Sequence, residues 1–213
     1  MKKVIFALLG IMFLVSCNQN SEEDLPNDQV VINTKVTHEK VKQVNHELEQ
    51  LFSSVKNTEQ QRSITRSAPI INEEEVIRVL SPLSIEGEDL RNQLLKLEKE
   101  GKLDLTSTEI SELHKMKAPE LAGFAYFVAQ SKMGNGTMKA IKARDLIDCV
   151  SVAVGFSAGS SLWGVFDGTA SLVSAKTAWN IGRAFISRTL GWIGVAYAIY
   201  EYVDCLKSKG AFN

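Results

Sequence analysis

Residues 41–55 read VKQVNHELEQLFSSV. Val41, Val44, Leu48, Leu51 and Val55 recur at spacings of 3, 4, 3 and 4, which sets them on one side of an α-helix. A half-buried strand would alternate at every second residue, and this stretch does not. The stripe covers only about two heptads, short of the three or four that mark a coiled coil, so the helix is expected to pack on its own domain. Its expected extent is Thr34 to about Arg62.

The same punctuation continues downstream. Ser63 to Pro69 reads as a loop. Asn72 followed by Glu75 has capping-box spacing and predicts a short helix to Leu80, with Pro82 just past its end. Glu86 to Glu100 carries Leu90, Leu94 and Leu97 on one face, and Gly101 is placed as a C-terminal cap. Thr106 with Glu109 is a second capping box, opening a helix through Met116. Pro119 suits the first turn of the next helix, whose expected core face is Leu121, Phe124, Phe127 and Val128. Gly134-Asn135-Gly136 then breaks the chain.

Composition shifts at that break. Residues 17–138 carry a net charge of −6, and residues 139–213 carry +3 together with all three Trp and many Gly, Ala and Ser. A subdomain boundary is therefore expected near 134–138. Beyond it the chain reads as three helices: Met138 to about Phe166, a second capped by Thr169, and a third capped by Thr189 and ending near Lys207. The expected fold class is all-α, a multi-helix domain with a Gly/Ala/Ser-rich C-terminal three-helix subdomain. The regions are 1–16, 17–33, an acidic helical region 34–133, and 134–213.

The 213 residues are 45% hydrophobic and 23% charged, with a net charge of −1. That composition excludes a wholly disordered chain, a polytopic membrane protein and a broadly basic nucleic-acid binder. At the N-terminus, Lys2 and Lys3 precede twelve apolar residues, Val4 to Val15. As a helix this run is about 18 Å long, too short to cross a hydrocarbon core of about 30 Å and suited to the apolar region of a secretory signal. It ends in Leu14-Val15-Ser16-Cys17.

That ending resembles the lipobox of bacterial lipoproteins. The resemblance implies removal of residues 1–16, diacylglycerylation of the Cys17 thiol and acylation, typically palmitoylation, of the new amino terminus. More than one acyl chain anchors stably where a single chain does not. Ser21-Glu22-Glu23-Asp24 resembles the acidic export signal of Bacteroidetes surface lipoproteins, and Asn18 in place of Asp resembles the outer-membrane class. The implied location is the outer membrane, at the cell surface or on the periplasmic face. Residues 18–33 are polar around Pro26 and read as a tether of at most about 55 Å. In an exported chain, Cys149 and Cys205, both near helix ends, are expected to form a disulfide.

Other motifs bear on chemistry. Gly155-Phe156-Ser157-Ala158-Gly159 matches the nucleophile elbow of serine hydrolases, and about fifteen residues around it resemble the α/β-hydrolase family. That family places its histidine after the serine. The three histidines here, His38, His46 and His114, all precede Ser157, so the serine has no base and no catalytic set is assigned. Gly155 and Gly159 also form GxxxG in a stretch whose composition loosely resembles pore-forming bacteriocins. His38 and His46 are eight apart and match no zinc spacing, and Glu73-Glu74-Glu75 reads as charge complementing a helix dipole. No Walker A, GxGxxG, HExxH or CxxC motif occurs, so no metal or cofactor is assigned. Trp192, Tyr197, Tyr200 and Tyr202 share the last helix and read either as core or as a binding surface.

Two functions fit these features. One is a lipid-anchored, non-catalytic interaction module of the cell envelope, holding the membrane through its N-terminal lipid and binding a protein partner. The other is a membrane-active, toxin-like effector whose Gly-rich helices act on membranes.

Overall fold

The computed structural model describes residues 30–61, 71–133, 143–154, 173–186 and 191–210. In chain order they form β1 (Val31–Ile32), α1 (His38–Gln61), α2 (Glu73–Lys99), α3 (Ser107–Lys115), α4 (Ala118–Met133), α5 (Ala143–Val154), β2 (Val173–Ser174), α6 (Ala175–Ile186) and α7 (Trp192–Ser208). The class is all-α.

Local chemistry sets the helix ends. Thr37 caps α1, its hydroxyl accepting the Lys40 N–H at 3.2 Å. Asn72 caps α2 by accepting the Glu74 N–H at 3.0 Å. At Thr106 both arms of the capping box form: its hydroxyl accepts the Glu109 N–H, and the Glu109 carboxylate accepts the Thr106 N–H at 2.9 Å. Gly101 ends α2 at φ +68°, with the Gly101 and Lys102 N–H groups donating to Glu98 and Leu97 carbonyls. That pair of bonds is a Schellman motif, and the left-handed conformation favours glycine.

The structure departs from two expectations. First, α2 does not stop before Pro82 but runs unbroken through it. Val76, Leu80, Leu83, Gly87, Leu90 and Leu94 are all buried at spacings of 4, 3, 4, 3 and 4, so the two expected helices share one seam in phase. An interior proline costs about 3 kcal/mol. Five aliphatic side chains at about 1.5–3 kcal/mol each outweigh it. Gly87 hid the continuity because it has no side chain to count. Second, residues 30–33 are not tether. Val31 and Ile32 pair antiparallel with Ser174 and Val173, Ile32 is buried, and the Gln93 side chain bonds both backbone groups of Asn33 at 2.9 Å. The span between Cys17 and Val30 is thus twelve residues, at most about 40 Å extended.

α4 runs through the middle. Every residue from Glu120 to Gln130 is buried, a helix covered all round rather than on one face. It packs along α2 and also meets α1, α6 and α7. Small residues permit the approaches. An added Cβ at Gly87 would lie 2.0 Å from the Leu121 carbonyl oxygen. On α6, Ala175, Ala178 and Gly182 are buried on one face, with Gly182 set against the Phe124 ring. The α6 cap is the Ser174 hydroxyl, which accepts the Thr177 N–H. Thr169, Thr189 and the boundary at 134–138 lie outside the described residues. Buried side chains on both sides of that boundary belong to one cluster.

Candidate functional site

The last helix carries two kinds of aromatic residue. Tyr202 turns inward, 1% exposed, and meets Phe127 edge-on at 5.0 Å and Tyr126 at 6.4 Å. Tyr197 stands 52% exposed on another side of the helix. Between them Tyr200 stacks on Phe52 of α1 at 4.8 Å, and Phe52 meets the Tyr197 ring edge-on at 5.8 Å. The α7 aromatics therefore divide between core and surface. Tyr202 and Tyr200 are core, and Tyr197, with the partly exposed Ile193 one turn before it, is surface.

Beside this shelf, α1 and α7 border a shallow groove with room for about 10 Å³, the space of a single water. Leu48, Ile199 and Val203 line its apolar part, with Tyr200 beside them. Asn45 and Asp204 supply polar groups, and Glu49 and Lys207 close an ion pair across the two helices at 2.6 Å. Asn45 is held from beneath. The buried Gln130 amide donates to the Tyr126 hydroxyl at 3.0 Å, and that hydroxyl donates to Asn45 Oδ1 at 2.6 Å. With Oδ1 taken, the Asn45 amide turns its NH₂ edge away from the relay. Burial pushes the Tyr126 phenol well above its ordinary range, so it stays a neutral donor.

A second polar cluster joins α3 to α6. Glu109 accepts from the Thr106 backbone and hydroxyl through Oε2 and from the Trp179 indole N–H through Oε1 at 3.0 Å, with Arg183 at 3.5 Å. The Thr106 N–H, more than any other partner, holds its carboxyl below the usual range. Every bond in this cluster is accounted for by helix capping and helix docking, so it reads as a latch.

The expected disulfide is present. Cys149 and Cys205 are bonded, with Cα atoms 5.4 Å apart, tying α5 to α7. The structure does not bring the histidines together as a site. His38 starts α1, His46 lies 3.0 Å from Gln50 Nε2, and His114 is exposed at the end of α3. Among the described residues no group of three or more His, Cys, Asp or Glu could hold a metal ion. No helix among them is long and apolar enough to cross a membrane. Cys17 and the Gly155–Gly159 motif lie outside the described residues.

Sequence reasoning missed Phe52, Asn45, Tyr126 and Gln130. Phe52 takes the place in the buried seam that the heptad count gave to Leu51, because a straight helix of 3.6 residues per turn drifts away from a 3.5-residue repeat. The relay joins residues 81 and 4 apart in the chain, and only the long span crosses between helices. Comparison of the whole chain with protein-family models, with curated proteins and with solved structures finds no match, so the fold and the groove rest on the chain's own chemistry.

Proposed function

We propose that the chain is a lipid-anchored protein of the bacterial cell envelope that acts as a non-catalytic interaction module. The observation that carries this reading is the N-terminal order of Lys2-Lys3, twelve apolar residues and Leu14-Val15-Ser16-Cys17. Lipid on Cys17 would hold the domain at an outer-membrane surface through the twelve residues that precede Val30. The exposed Tyr197 beside the α1–α7 groove supports a binding role, since aromatic residues concentrate in the contact regions of interfaces. Ser157 has no histidine after it, which supports a role without acyl-transfer chemistry.

The test is metabolic labelling with an alkyne-bearing palmitate. The expected result is a labelled N-terminal peptide beginning at Cys17, and loss of label with retention of residues 1–16 in Cys17→Ala. Protease shaving of intact cells then separates the two leaflets. Removal of the labelled protein places it at the surface, and protection places it on the periplasmic face. An unlabelled wild-type Cys17 would overturn the anchor. A photo-cross-linking residue in place of Tyr197 tests the interaction itself, with a discrete protein adduct expected in cells. Leakage of a dye from liposomes mixed with the protein would instead support the membrane-active reading.

A further inference from the structure

We propose that the Cys149–Cys205 bond is a redox clasp: a dithiol reductant opens it and frees α5 from α7 while the rest of the domain stays folded. Among the described residues, α5 packs on α7 and has no comparable contact with any other element. Of its described side chains, Cys149 and Val150 are buried, Ala153 is half-buried beside them, and Asp148 and Val152 face solvent. The described part of its packing is thus one small patch around the bridge. Isolated helices shorter than about 12–15 residues are marginal in water, and α5 has 12. α7 is held differently. It packs on α1, α2 and α4 as well, with Tyr202 edge-on to Phe127 and Tyr200 stacked on Phe52. Opening the bridge removes the covalent hold on α5 and leaves the aromatic contacts that seat α7 in place.

The two cysteines are not equally accessible. Cys149 is fully buried and Cys205 is half-buried, so an incoming thiolate meets the bridge from the Cys205 side. Its attack on the Cys205 sulfur forms a mixed disulfide and breaks the Sγ–Sγ bond. Cys149 leaves as a thiolate and takes up the proton that the first thiol lost. The second thiol of the reductant then displaces Cys205, which takes up the second proton, and the reductant departs as a disulfide. Two electrons pass from the dithiol to the bridge. Release of α5 uncovers the side of α7 that carries Cys205 and exposes Val150 on α5 itself. The redox state thereby sets which surface α7 presents. The clasp needs no lipid on Cys17, so it stands or falls apart from the envelope reading.

The experiment is hydrogen–deuterium exchange read by mass spectrometry on the full chain carrying Cys17→Ala, whose remaining cysteines are those of the bridge. Dithiothreitol is the dithiol, and alkylation by iodoacetamide reports opening. The expected result is that the bridge opens in native buffer without denaturant. Peptides from residues 143–154 should then exchange roughly tenfold faster or more, while peptides from α2 and α4 keep the rates of the oxidised protein. Adding Cys149→Ala and Cys205→Ala should give the fast α5 rates with and without dithiothreitol. A bridge that takes up no iodoacetamide without denaturant would overturn the proposal, because no reductant would then reach it in the folded protein. So would unchanged exchange of residues 143–154 after opening, since packing alone would then hold α5. Equal acceleration in α4 would overturn it as well, because the bridge would then staple the whole domain. None of these outcomes touches the palmitate label or the Tyr197 cross-link, so failure of the clasp and failure of the envelope reading are told apart.

Discussion

Replacing Gly87 with alanine tests the closest helix contact in the fold. A Cβ at position 87 would lie 2.0 Å from the Leu121 carbonyl oxygen, 2.6 Å from its carbonyl carbon and 2.9 Å from its Cα. Ordinary contact begins near 3.4 Å, so α2 and α4 would have to part by about 1.4 Å. The obstacle is backbone, and no rotamer change relieves it. Overpacking a core costs about 1–3 kcal/mol when side chains can adjust. Here the interface opens as well, and a gap of about 0.5–1 Å already forfeits a quarter to a half of each contact energy. Alanine's better helix propensity returns only about 0.5–1 kcal/mol. The expected net loss is about 3 kcal/mol or more, read by differential scanning calorimetry as a Tm drop of roughly 6–12 °C. Gly101→Ala is the comparison. Nothing lies within 4 Å of that position, so only the left-handed backbone at φ +68° resists it, at about 1–2 kcal/mol. A Gly87→Ala protein that melts within about 2 °C of wild type would show that the helices do not approach this closely, and the packing account of α2 and α4 would fail.

Removing the disulfide with Cys149→Ala and Cys205→Ala frees a loop with a sequence separation of 56, and the chain-entropy model gives a loss of about 4 kcal/mol. Urea unfolding of the double variant checks it, and a loss under about 1 kcal/mol would mean that α5 is held by its packing on α7 alone. Tyr126→Phe leaves Asn45 Oδ1 and Gln130 Nε2 without their shared partner, and the same assay should lose about 1–3 kcal/mol. Unchanged stability would mean that the relay does not form in solution. The lowered Glu109 carboxyl gives a sign for pH. Its contribution is fully present above the ordinary carboxyl range near 4.5 and is lost as pH falls through its lowered folded value. The Trp179 indole N–H signal should therefore shift on acidification in wild type and stay flat in Glu109→Gln, and a flat wild-type signal down to global unfolding would remove the latch.

The features that were legible are local ones. The Thr106–Glu109 box, the Gly101 cap and Pro119 in the first turn of α4 each depend on residues within one turn of one another, so spacing alone exposes them. The Cys149–Cys205 pair was legible because the export expected from the N-terminal resemblance would favour a disulfide between two cysteines near helix ends. What was not legible depends on contacts between distant segments. Pro82 reads as a stop until Gly87 is seen as part of the seam, and that requires knowing that Leu121 lies against it. The β1–β2 pairing is two residues long on each side, too short to leave any alternation. The aromatic residues of α7 could not be divided into core and surface because their assignment depends on where α1 lies, through Phe52.

The groove was invisible for a deeper reason, which lies in α4. A helix buried on every side must find partners for its polar side chains within the core, because no face reaches water, and here Gln130 Oε1 is left without one among the described residues. Tyr126 and Gln130 bond each other, yet the Tyr126 hydroxyl still has a proton to donate, and it passes that demand outward to Asn45 on α1. Asn45 is only partly buried and lines the groove. The orientation of the groove's amide is therefore set by hydrogen-bond satisfaction at the centre of the protein, and not by any residue on its rim. The other wall follows the same logic. Cys205 fixes the C-terminal half of α7 to α5, and Lys207, two residues on, closes onto Glu49 of α1. A rigid centre thus holds both walls of a small polar groove in register.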